Sequence, residues 1–497
     1  MDRRHFASLV AAALAGDRFL AQPSSRPTFD TRLSAARMPL WRAPELRPAG
    51  ITLRANAHRV ATGAGTTGRA MTIGEGAIGP TLRVRRGEAA QVTLENALDE
   101  PTILHWHGLR VPEDADGHPR FAIAPGARYE YRFPVNDRAG TYWYHSHPHH
   151  RTGAQVYRGM AGVLIVEDAA EEALGLPRGA REIALLLQDR RLTPEGDFAF
   201  DPVMHERMEG FFGDVPFGNG TPSPSLSVDS AQYRLRVVNV TASRIMRLGL
   251  SRGAKMTLIG TDGGLLPAPV EVEHVDLSTG ERADLLVDFG GLAVGAQVML
   301  KSLAFTPPYQ MGMGMGGGMG GMGGMGGMGG MGGGRAAQGS QMDLLEFTVT
   351  RAVREPAWVP KPFPAIVVPD RSRATRTREF RFQSRMMQHT INGREFEMDR
   401  IDERVPFGST EIWRFVNDSQ FPHPVHMHEA QSQVLSRTGG RGRLFPWEGG
   451  LKDTVLLYPG ETIEVLTTFD AYRGRFLLHC HNLVHEDMGM MMNYAIE

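Results

Sequence analysis

The apolar and polar residues of this chain alternate in short stretches with a period of two. Five such stretches stand out, at residues 81–96, 233–240, 283–289, 411–417 and 461–469. Successive side chains of a β-strand point to opposite faces, so this alternation predicts strands with one buried face. Gly and Pro recur at short intervals, and stretches with helical periodicity are scarce. The pattern therefore favours an all-β fold made of sandwiches.

Two segments repeat the same order of features. Residues from about 80 to 168 contain a strand pattern, LHWHG, a second strand pattern, GTYWYHSHPHH and GMAGVLIVED. Residues from about 405 to 497 contain a strand pattern, HPVHMHE, a second strand pattern, RGRFLLHCHNLVHE and MGMMMNYAIE. The middle third of the chain has no comparable histidines. We predict three domains, at 45–168, 180–352 and 375–497, and a Pro-rich linker at 356–369.

The second predicted domain contains an insert, residues 311–334, that consists of 16 Gly and 8 Met. We call it the methionine tract and expect a mobile loop, because Gly loses more backbone entropy on ordering than any other residue. Thioether sulfur is a soft ligand that selects Cu(I), so we expect the tract to capture extra, labile Cu(I). A low-complexity linker without ligands is the alternative. The eight methionines are Met311, Met313, Met315, Met319, Met322, Met325, Met328 and Met331.

Charge and composition exclude several classes of protein. The chain carries 54 Lys plus Arg and 55 Asp plus Glu, and no dense basic run, so we expect no nucleic-acid partner. The single cysteine excludes an internal disulfide. Because no apolar stretch reaches about 18 residues, we expect no stable membrane insertion.

The N-terminus, MDRRHFASLVAAALAG, places Arg3 and Arg4 before a short apolar run. This pattern resembles a twin-arginine export signal, and we assign it to residues 1–21. It predicts an exported or periplasmic protein. A disordered basic start is the alternative.

Four HxH pairs carry the strongest chemical signal in the chain. Residues i and i+2 of a strand point to the same face, so each pair directs two imidazoles into one space. Neutral imidazole is a ligand for Cu, Zn, Fe and Ni. Eight imidazoles in one cavity suit a cluster of several metal ions rather than a single ion. The pairs are His105/His107, His145/His147, His426/His428 and His479/His481.

The only cysteine, Cys480, lies between the two histidines of the last pair. In a strand its side chain must point away from them, toward a second site. His423, His485 and Met490 are near enough in sequence to join it there. Two histidines, a thiolate and a weak axial methionine are the ligands of a blue-copper electron-transfer centre. Structural zinc fits poorly, because such sites usually take several cysteines.

At this point the chain resembles the multicopper oxidases. HWHG, HSHPHH, HPVHMH and HCHNLVHEDMGMM occur in the family's order, and LLLQDRR, GERADLLVDF and INGREFEMDRID resemble its bacterial three-domain members. The resemblance is greatest to bacterial cuprous oxidases and laccases with Met-rich inserts. It implies three cupredoxin-like Greek-key β-sandwich or barrel domains and four copper ions, with the trinuclear cluster between the first and third domains.

The resemblance also implies a role for each ligand. The type 1 copper would be held by His423, Cys480, His485 and Met490, and the type 2 copper by His105 and His426. The type 3 pair would be held by His107, His145, His147, His428, His479 and His481. An electron would pass from the type 1 site through Cys480 to His479 or His481, and four electrons would reduce O2 to water.

Two carboxylates match family positions that handle protons, Asp116 in PEDADG and Glu486 after the last type 1 histidine. The alternative for Asp116 is a turn residue, and the alternative for Glu486 is a group that orients a ligand. Glu429 stands where many relatives have Gly, and we assign it no role. We expect Trp106 and Trp143 to pack, and the remaining singled-out histidines to lie outside the ligand set: His118, His149, His150, His205, His274 and His389.

Three functions follow from this reading. The first is an exported copper-tolerance enzyme that oxidises Cu(I) to the less membrane-permeable Cu(II), with O2 as acceptor. The second is a laccase that oxidises phenols and aromatic amines. The third has no turnover: a copper-sequestering protein, or a structural cell-envelope protein that has lost its copper. The complete ligand set argues against lost copper. We expect a monomer whose partners are O2 and either Cu(I) or small aromatic reductants.

Overall fold

A computed structural model describes residues 37–307, 336–360, 362–385 and 387–497. The predicted export signal, 1–21, and the methionine tract, 311–334, lie outside these residues. The described chain is built of β-strands in six sheets that form three pairs, which confirms the predicted all-β class. In this part of the chain no helix is both long enough and apolar enough to cross a membrane.

The first pair of sheets contains most of the strands between residues 38 and 167. Their order is β2-β5-β10-β9-β7 in one sheet and β4-β3-β6-β8 in the other, and β1 joins a sheet of the second pair. The strands β1 to β10 are Met38–Pro39, Glu45–Leu46, Ala49–Gly63, Thr66–Ile73, Thr81–Arg85, Ala89–Asn96, Leu104–His105, Arg128–Pro134, Gly140–Ser146 and Ala161–Glu167.

The second pair of sheets has orders β13-β12-β11-β15-β20-β17-β18 and β1-β14-β22-β21-β16-β19. The methionine tract falls between β21 and β22, and its flanks meet where the Phe305 N–H donates to the Gly339 carbonyl at 3.0 Å. Strands β11 to β22 are Glu182–Arg190, Val215–Gly218, Thr221–Pro222, Pro224–Asp229, Gln232–Asn239, Met246–Leu250, Met256–Thr261, Gly264–Val272, His274–Leu277, Arg282–Asp288, Gln297–Ser302 and Met342–Arg351.

The third pair of sheets has orders β24-β23-β26-β31-β28-β29 and β25-β33-β32-β27-β30. Strands β27 and β32 lie side by side in the second of these sheets and carry two of the HxH pairs. Strands β23 to β33 are Ala374–Arg385, Gln388–Ile391, Glu403–Val405, Thr410–Asn417, His423–Met427, Ser432–Thr438, Leu451–Lys452, Thr454–Leu457, Thr462–Thr468, Gly474–Cys480 and Met491–Ile496.

The α-helices of the described chain are short: Thr152–Arg158, Ala169–Glu172, Met204–Glu209 and Leu483–Asp487.

Each of the five alternating stretches forms β-strand, as predicted, but one of them is divided into two strands. The stretch 81–96 forms two strands, because the chain turns at Gly87, whose φ of 90° is accessible to Gly at little cost. The domain boundaries stay a prediction.

A buried ion cluster joins the first two pairs of sheets. The Arg236 guanidinium donates to Glu182 at 2.6 Å, to Glu171 at 2.7 Å and to the Thr141 hydroxyl of β9 at 3.1 Å. Burial opposes ionisation of Glu182, but Arg236 and the neighbouring arginines outweigh it and lower its pKa to about 2. The carboxylate therefore stabilises the fold above its ordinary pKa and loses this contribution as the pH falls toward 2.

We expect Glu182→Gln to lower the free energy of unfolding at pH 7 by about 3 kcal/mol, since each pKa unit corresponds to about 1.4 kcal/mol. The deficit relative to the original chain should shrink below pH 4.5, as Glu182 becomes protonated. Denaturant titrations at pH 7 and pH 3 measure both effects. Glu497→Gln, which removes an exposed partner of Arg404, is the control and should cost little. A deficit that does not change with pH would contradict the assignment.

Candidate metal centre

One thiol and two imidazoles meet inside the third pair of sheets. Cys480 ends β32, His423 begins the neighbouring β27, and His485 lies in the last helix. Sγ of Cys480 is 3.4 Å from Nδ1 of His423 and 3.6 Å from Nδ1 of His485, and these nitrogens are 3.3 Å apart. Met490 is buried in the same core, and its carbonyl accepts the Cys480 N–H at 3.0 Å. The four residues predicted for the mononuclear site therefore lie together.

Hydrogen bonds at their outer nitrogens turn the inner nitrogens of these imidazoles toward the thiol. Nε2 of His485 donates to the Met208 carbonyl at 3.0 Å, and Nε2 of His423 is 2.8 Å from the Ser419 hydroxyl. Burial lowers the pKa of both histidines, so they are neutral at pH 7. Burial also raises the pKa of the Cys480 thiol. A cation at the centre of this triangle would act in the opposite direction and favour the thiolate.

The helix Met204–Glu209 covers the outer edge of this centre. Its last three carbonyls accept hydrogen bonds from His389, His485 and Asn482, at 2.8, 3.0 and 3.3 Å. Such carbonyls have no partner within the helix, and these side chains satisfy them. His389 also stacks on His485, with ring centroids 4.0 Å apart. The sequence spacing did not single out His389, yet it packs directly against the thiol centre.

Eight further imidazoles converge where the first pair of sheets meets the third. Each HxH pair lies at the end of its strand, with the first histidine inside the strand and the second just beyond it. Register places His105 opposite His145 and His426 opposite His479. All eight are at most 1% exposed: His105, His107, His145, His147, His426, His428, His479 and His481.

The histidines on either side of Cys480 face this second centre. Nε2 of His479 is 3.1 Å from Nε2 of His428, and the ring centroid of His481 is 4.9 Å from that of His107. Cys480 faces the thiol centre instead. One extended tripeptide therefore joins the two centres, which is the geometry that strand alternation predicts.

Hydrogen bonds to the backbone orient the imidazoles of the cluster. Nδ1 of His105 donates to the Asp116 carbonyl at 2.6 Å and Nδ1 of His426 to the Asp453 carbonyl at 2.9 Å, and their Nε2 atoms lie 3.3 Å apart. His107 has the opposite orientation. Its Nε2 is 3.1 Å from Oδ1 of Asp453, which leaves Nδ1 as the free nitrogen.

Several buried ring nitrogens of the cluster have no hydrogen-bond partner in the described structure: Nδ1 of His107 and His147, Nε2 of His145 and both nitrogens of His481. Burying a polar atom without a partner costs free energy. Burial lowers the pKa of His147 and His481 to about 3, so both rings are neutral at pH 7 and retain lone pairs. Such lone pairs are copper ligands, and this donor set fits a cluster of several copper ions.

The two predicted carboxylates contact the imidazole cluster from outside. Oδ2 of Asp116 is 2.7 Å from Nδ1 of His428. The Glu486 carboxylate lies 3.3 Å from Nδ1 of His479 and 3.5 Å from Nε2 of His147. Burial opposes ionisation of Glu486, but these imidazoles outweigh it and lower its pKa to about 2.

Asp453 is a third carboxylate at the cluster, and the sequence analysis did not identify it. It contacts His107 through its side chain and His426 through its carbonyl, and it is fully buried. It lies 346 residues from His107 in the chain, and no motif spacing relates the two. Only the packing of the first pair of sheets against the third pair brings Asp453 and His107 together.

The remaining singled-out residues lie outside both centres. Trp106 belongs to the core of the first pair of sheets, whereas Trp143 stacks on His145 with ring centroids 4.3 Å apart. Glu429 adopts a φ of 56°, a left-handed conformation that favours Gly. Besides His389, the other histidines predicted to lie outside the ligand set belong to neither group of imidazoles in the described structure: His118, His149, His150, His205 and His274.

Comparisons with known proteins agree with this geometry. Family profiles described as multicopper oxidase match residues 55–171, 210–306 and 368–497. A bilirubin oxidase from Albifimbria verrucaria is 32% identical over 428 residues, which cover 83% of this chain and 70% of that protein. A laccase from Bacillus subtilis is 28% identical, with 83% and 87% covered. The structure of a multicopper oxidase from Campylobacter jejuni, titled a metallo-oxidase, superposes with a TM-score of 0.80 at 25% identity, covering 95% of this chain and 98% of that one.

The fold and the two linked centres define a copper-dependent oxidoreductase with cupredoxin-like domains. The chain belongs to the multicopper oxidase family and resembles its laccase-type members.

Proposed function

We propose that this enzyme oxidises Cu(I) and passes the electrons to O2, in the service of copper tolerance. The observation that carries the proposal is the tripeptide 479–481, whose thiol faces a mononuclear centre while its two imidazoles face the cluster. Bound copper would supply one-electron acceptance at the first centre and four-electron reduction of O2 to water at the second.

We assign four coppers to the two centres. His423, Cys480, His485 and Met490 would hold the type 1 ion, and His105 and His426 would hold the type 2 ion. The type 3 pair would be held by His107, His145, His147, His428, His479 and His481. Asp116 and Glu486 would hold and pass on the protons that reduction of O2 to water consumes, because both carboxylates border the cluster.

The surroundings of His485 favour a small reductant such as Cu(I). Its outer nitrogen is occupied by the Met208 carbonyl, and the ring is fully buried under the helix Met204–Glu209 and His389. A bulky aromatic ring would have to displace this helix to reach the imidazole edge. A Cu(I) ion is smaller, and it needs only a ligand near the helix Met204–Glu209 to bind close to the imidazole. The metallo-oxidase among the similar structures supports the same substrate class.

The end of the methionine tract supports delivery of Cu(I) to this place. Just after the tract, the carbonyls of Ala336 and Ala337 accept hydrogen bonds from the Arg244 guanidinium, each at 2.8 Å. The adjacent Ser243 donates to the Asn482 side chain at 2.7 Å, and Asn482 lies 3.3 Å from Nε2 of His485. The described chain that follows the tract is therefore connected to His485 through Arg244, the adjacent Ser243, and Asn482.

We expect replacement of the tract's eight methionines by Ser, with its length and glycines kept, to lower kcat/KM for Cu(I) about tenfold or more. Tethered thioethers raise the local concentration of Cu(I), and Ser does not bind it. Oxidation of an organic dye should be unchanged. Steady-state O2 uptake with each reductant measures the difference.

Deletion of 311–334 is the companion variant and should impair Cu(I) oxidation more than dye oxidation. Methionine replacement outside the tract, at Met38 in β1, provides a control for general loss of thioether. Equal losses with both reductants, or no loss with either, would contradict delivery by the tract. The twin-arginine-like N-terminus supports export of the enzyme to the periplasm, where it would encounter Cu(I).

A laccase that acts mainly on phenols and aromatic amines is the second candidate. Val203 and Met204 at the start of the covering helix are 48% and 71% exposed, and this apolar surface could receive an aromatic ring. Comparing kcat/KM for Cu(I) and for a phenol on copper-loaded protein separates the two. A sequestering protein would bind Cu(I) without consuming O2.

A further inference from the structure

The second pair of sheets supplies no imidazole to the cluster, yet one of its turns lies against two of the imidazole rings. Gly280, with a φ of 90°, precedes β20. A Cβ added there would lie 3.1 Å from Cε1 of His107 and 3.2 Å from Cδ2 of His481. Such separations are tighter than ordinary van der Waals contact, so the turn backs both rings directly.

Two residues later, Arg282 joins all three pairs of sheets. Its guanidinium makes two parallel hydrogen bonds to the Asp453 carboxylate, at 2.6 and 2.5 Å. The remaining N–H groups donate to the carbonyls of Thr141 at 3.0 Å, Gly280 at 3.1 Å and Asp262 at 3.0 Å. Thr141 belongs to the first pair of sheets and Asp453 to the third. Every N–H direction of this fully buried side chain is therefore used.

Asp453 transmits this geometry to the cluster. Its Oδ1 lies 3.1 Å from Nε2 of His107, and its Oδ2 accepts a hydrogen bond from Gln431 at 2.9 Å. With Nε2 of His107 held by the carboxylate, Nδ1 is the nitrogen left free for a metal. The carbonyl of the same residue holds His426.

We propose that Arg282 is a positioning residue for the cluster: by fixing the Asp453 carboxylate with two parallel hydrogen bonds, it fixes the orientation of His107. Gly280 leaves room for the ring so oriented. This inference rests on the proposed assignment of the eight imidazoles to copper. Arg282 touches no ligand itself, and its effect is expected on the cluster rather than on the thiol centre.

Burial of such an ion pair needs a reason beyond stability. Moving two charges out of water is costly, and well-packed apolar residues are often as stable in their place. The Arg282–Asp453 pair lies in an interior shared by three pairs of sheets and is 0% exposed at both ends. An apolar pair could not accept a hydrogen bond from Nε2–H of His107, and so could not hold that imidazole in a fixed orientation.

The experiment compares Arg282→Lys and Arg282→Met with the same changes at Arg247. Arg247 is the matched control, since it makes a two-bond pair with Asp276, at 2.7 and 2.9 Å, in the same pair of sheets and contacts no imidazole of the cluster. The readouts on copper-reconstituted protein are copper ions per chain, the blue absorption of the type 1 site, the EPR signals of type 2 and type 3 copper, and KM for O2.

Arg282→Met is expected to keep the blue absorption while the affinity of the cluster for copper falls by up to about 10- to 100-fold, the range for losing the partner of a ligand, because Asp453 would no longer be held beside His107. Arg282→Lys keeps the charge but cannot make the two-bond pair, so it should give a smaller loss in the same direction. If Arg282→Met fails to fold, the comparison of Arg282→Lys with Arg247→Lys tests the inference. Neither Arg247 variant should alter the cluster signals.

Two outcomes overturn the inference. One is a normal copper content, EPR spectrum and KM for O2 in both Arg282 variants. The other is a loss of type 1 and cluster copper together that runs in parallel with a loss of folded protein, which would assign Arg282 to packing of the sheets alone. Failure of the copper assignment is distinguishable, because the unmodified chain would then lack the cluster signals itself. Failure of the proposed Cu(I) substrate would leave those signals in place and would appear only as absent O2 uptake with Cu(I).

Discussion

The Cys480→Ser variant is expected to lose the strong blue absorption and to lower kcat with any reductant by at least about 10³-fold, as for the loss of an essential member of a catalytic unit. The reason is that Sγ of Cys480 supplies the thiolate that meets the imidazoles of His423 and His485. A hydroxyl is a poor ligand for the same ion. The backbone between 479 and 481 would then lead from the cluster to a centre without a thiolate.

Absorption spectra, copper analysis and O2 uptake with Cu(I) and with a dye measure this effect. About three of four coppers should remain in Cys480→Ser, because the eight imidazoles of the cluster are unchanged. Thermal unfolding provides the check that the variant is folded. Retention of the blue band, or of turnover, would contradict the assignment of the thiol centre.

Glu486→Gln is expected to lower kcat by about 10²- to 10⁴-fold, the usual contribution of a positioned proton-transfer group. The carboxylate lies within 3.5 Å of two cluster imidazoles and is ionised at neutral pH, with a pKa lowered to about 2 by those imidazoles. A carboxylate at this place can take up a proton and pass it on, whereas an amide cannot. Reduction of the type 1 centre by substrate should proceed normally, while reoxidation by O2 should be slow.

Stopped-flow reoxidation and the solvent isotope effect on kcat separate these two half-reactions. Asp487→Asn is the matched control, since this neighbouring carboxylate accepts the N–H groups of Thr152 and Gly153 at 2.9 Å and faces away from the imidazoles. An unchanged reoxidation rate in Glu486→Gln would assign Glu486 to orienting His479 and His147 instead. An equal effect of Asp487→Asn would indicate a general disturbance of the last helix.

Local pattern predicted much of the site because the ligands occupy strand ends. A period of two places His479 and His481 on one face and Cys480 on the other, wherever the strand lies in the fold. The same rule applies to the other three HxH pairs. The alternating stretches likewise predicted strands, apart from the turn at Gly87 within 81–96.

Residues that act through contacts between distant segments could not be predicted in this way. His389 gave no signal, because its partners are the end of the helix Met204–Glu209 and the ring of His485. Arg282 begins β20 and Asp453 lies between β29 and β30, 171 residues apart, and neither belongs to a histidine motif.

By itself, the sequence determined the all-β class, the repeated histidine segments and the division of residues 479–481 between two faces. These properties depend on neighbours a few residues apart, and strand geometry is the same in every sheet. Only the tertiary structure decided which nitrogen of each imidazole faces the cluster, what covers His485, and that the second pair of sheets contributes a turn and an arginine. Those outcomes depend on hydrogen bonds between residues hundreds of positions apart, whose meeting follows from how the sheets pack.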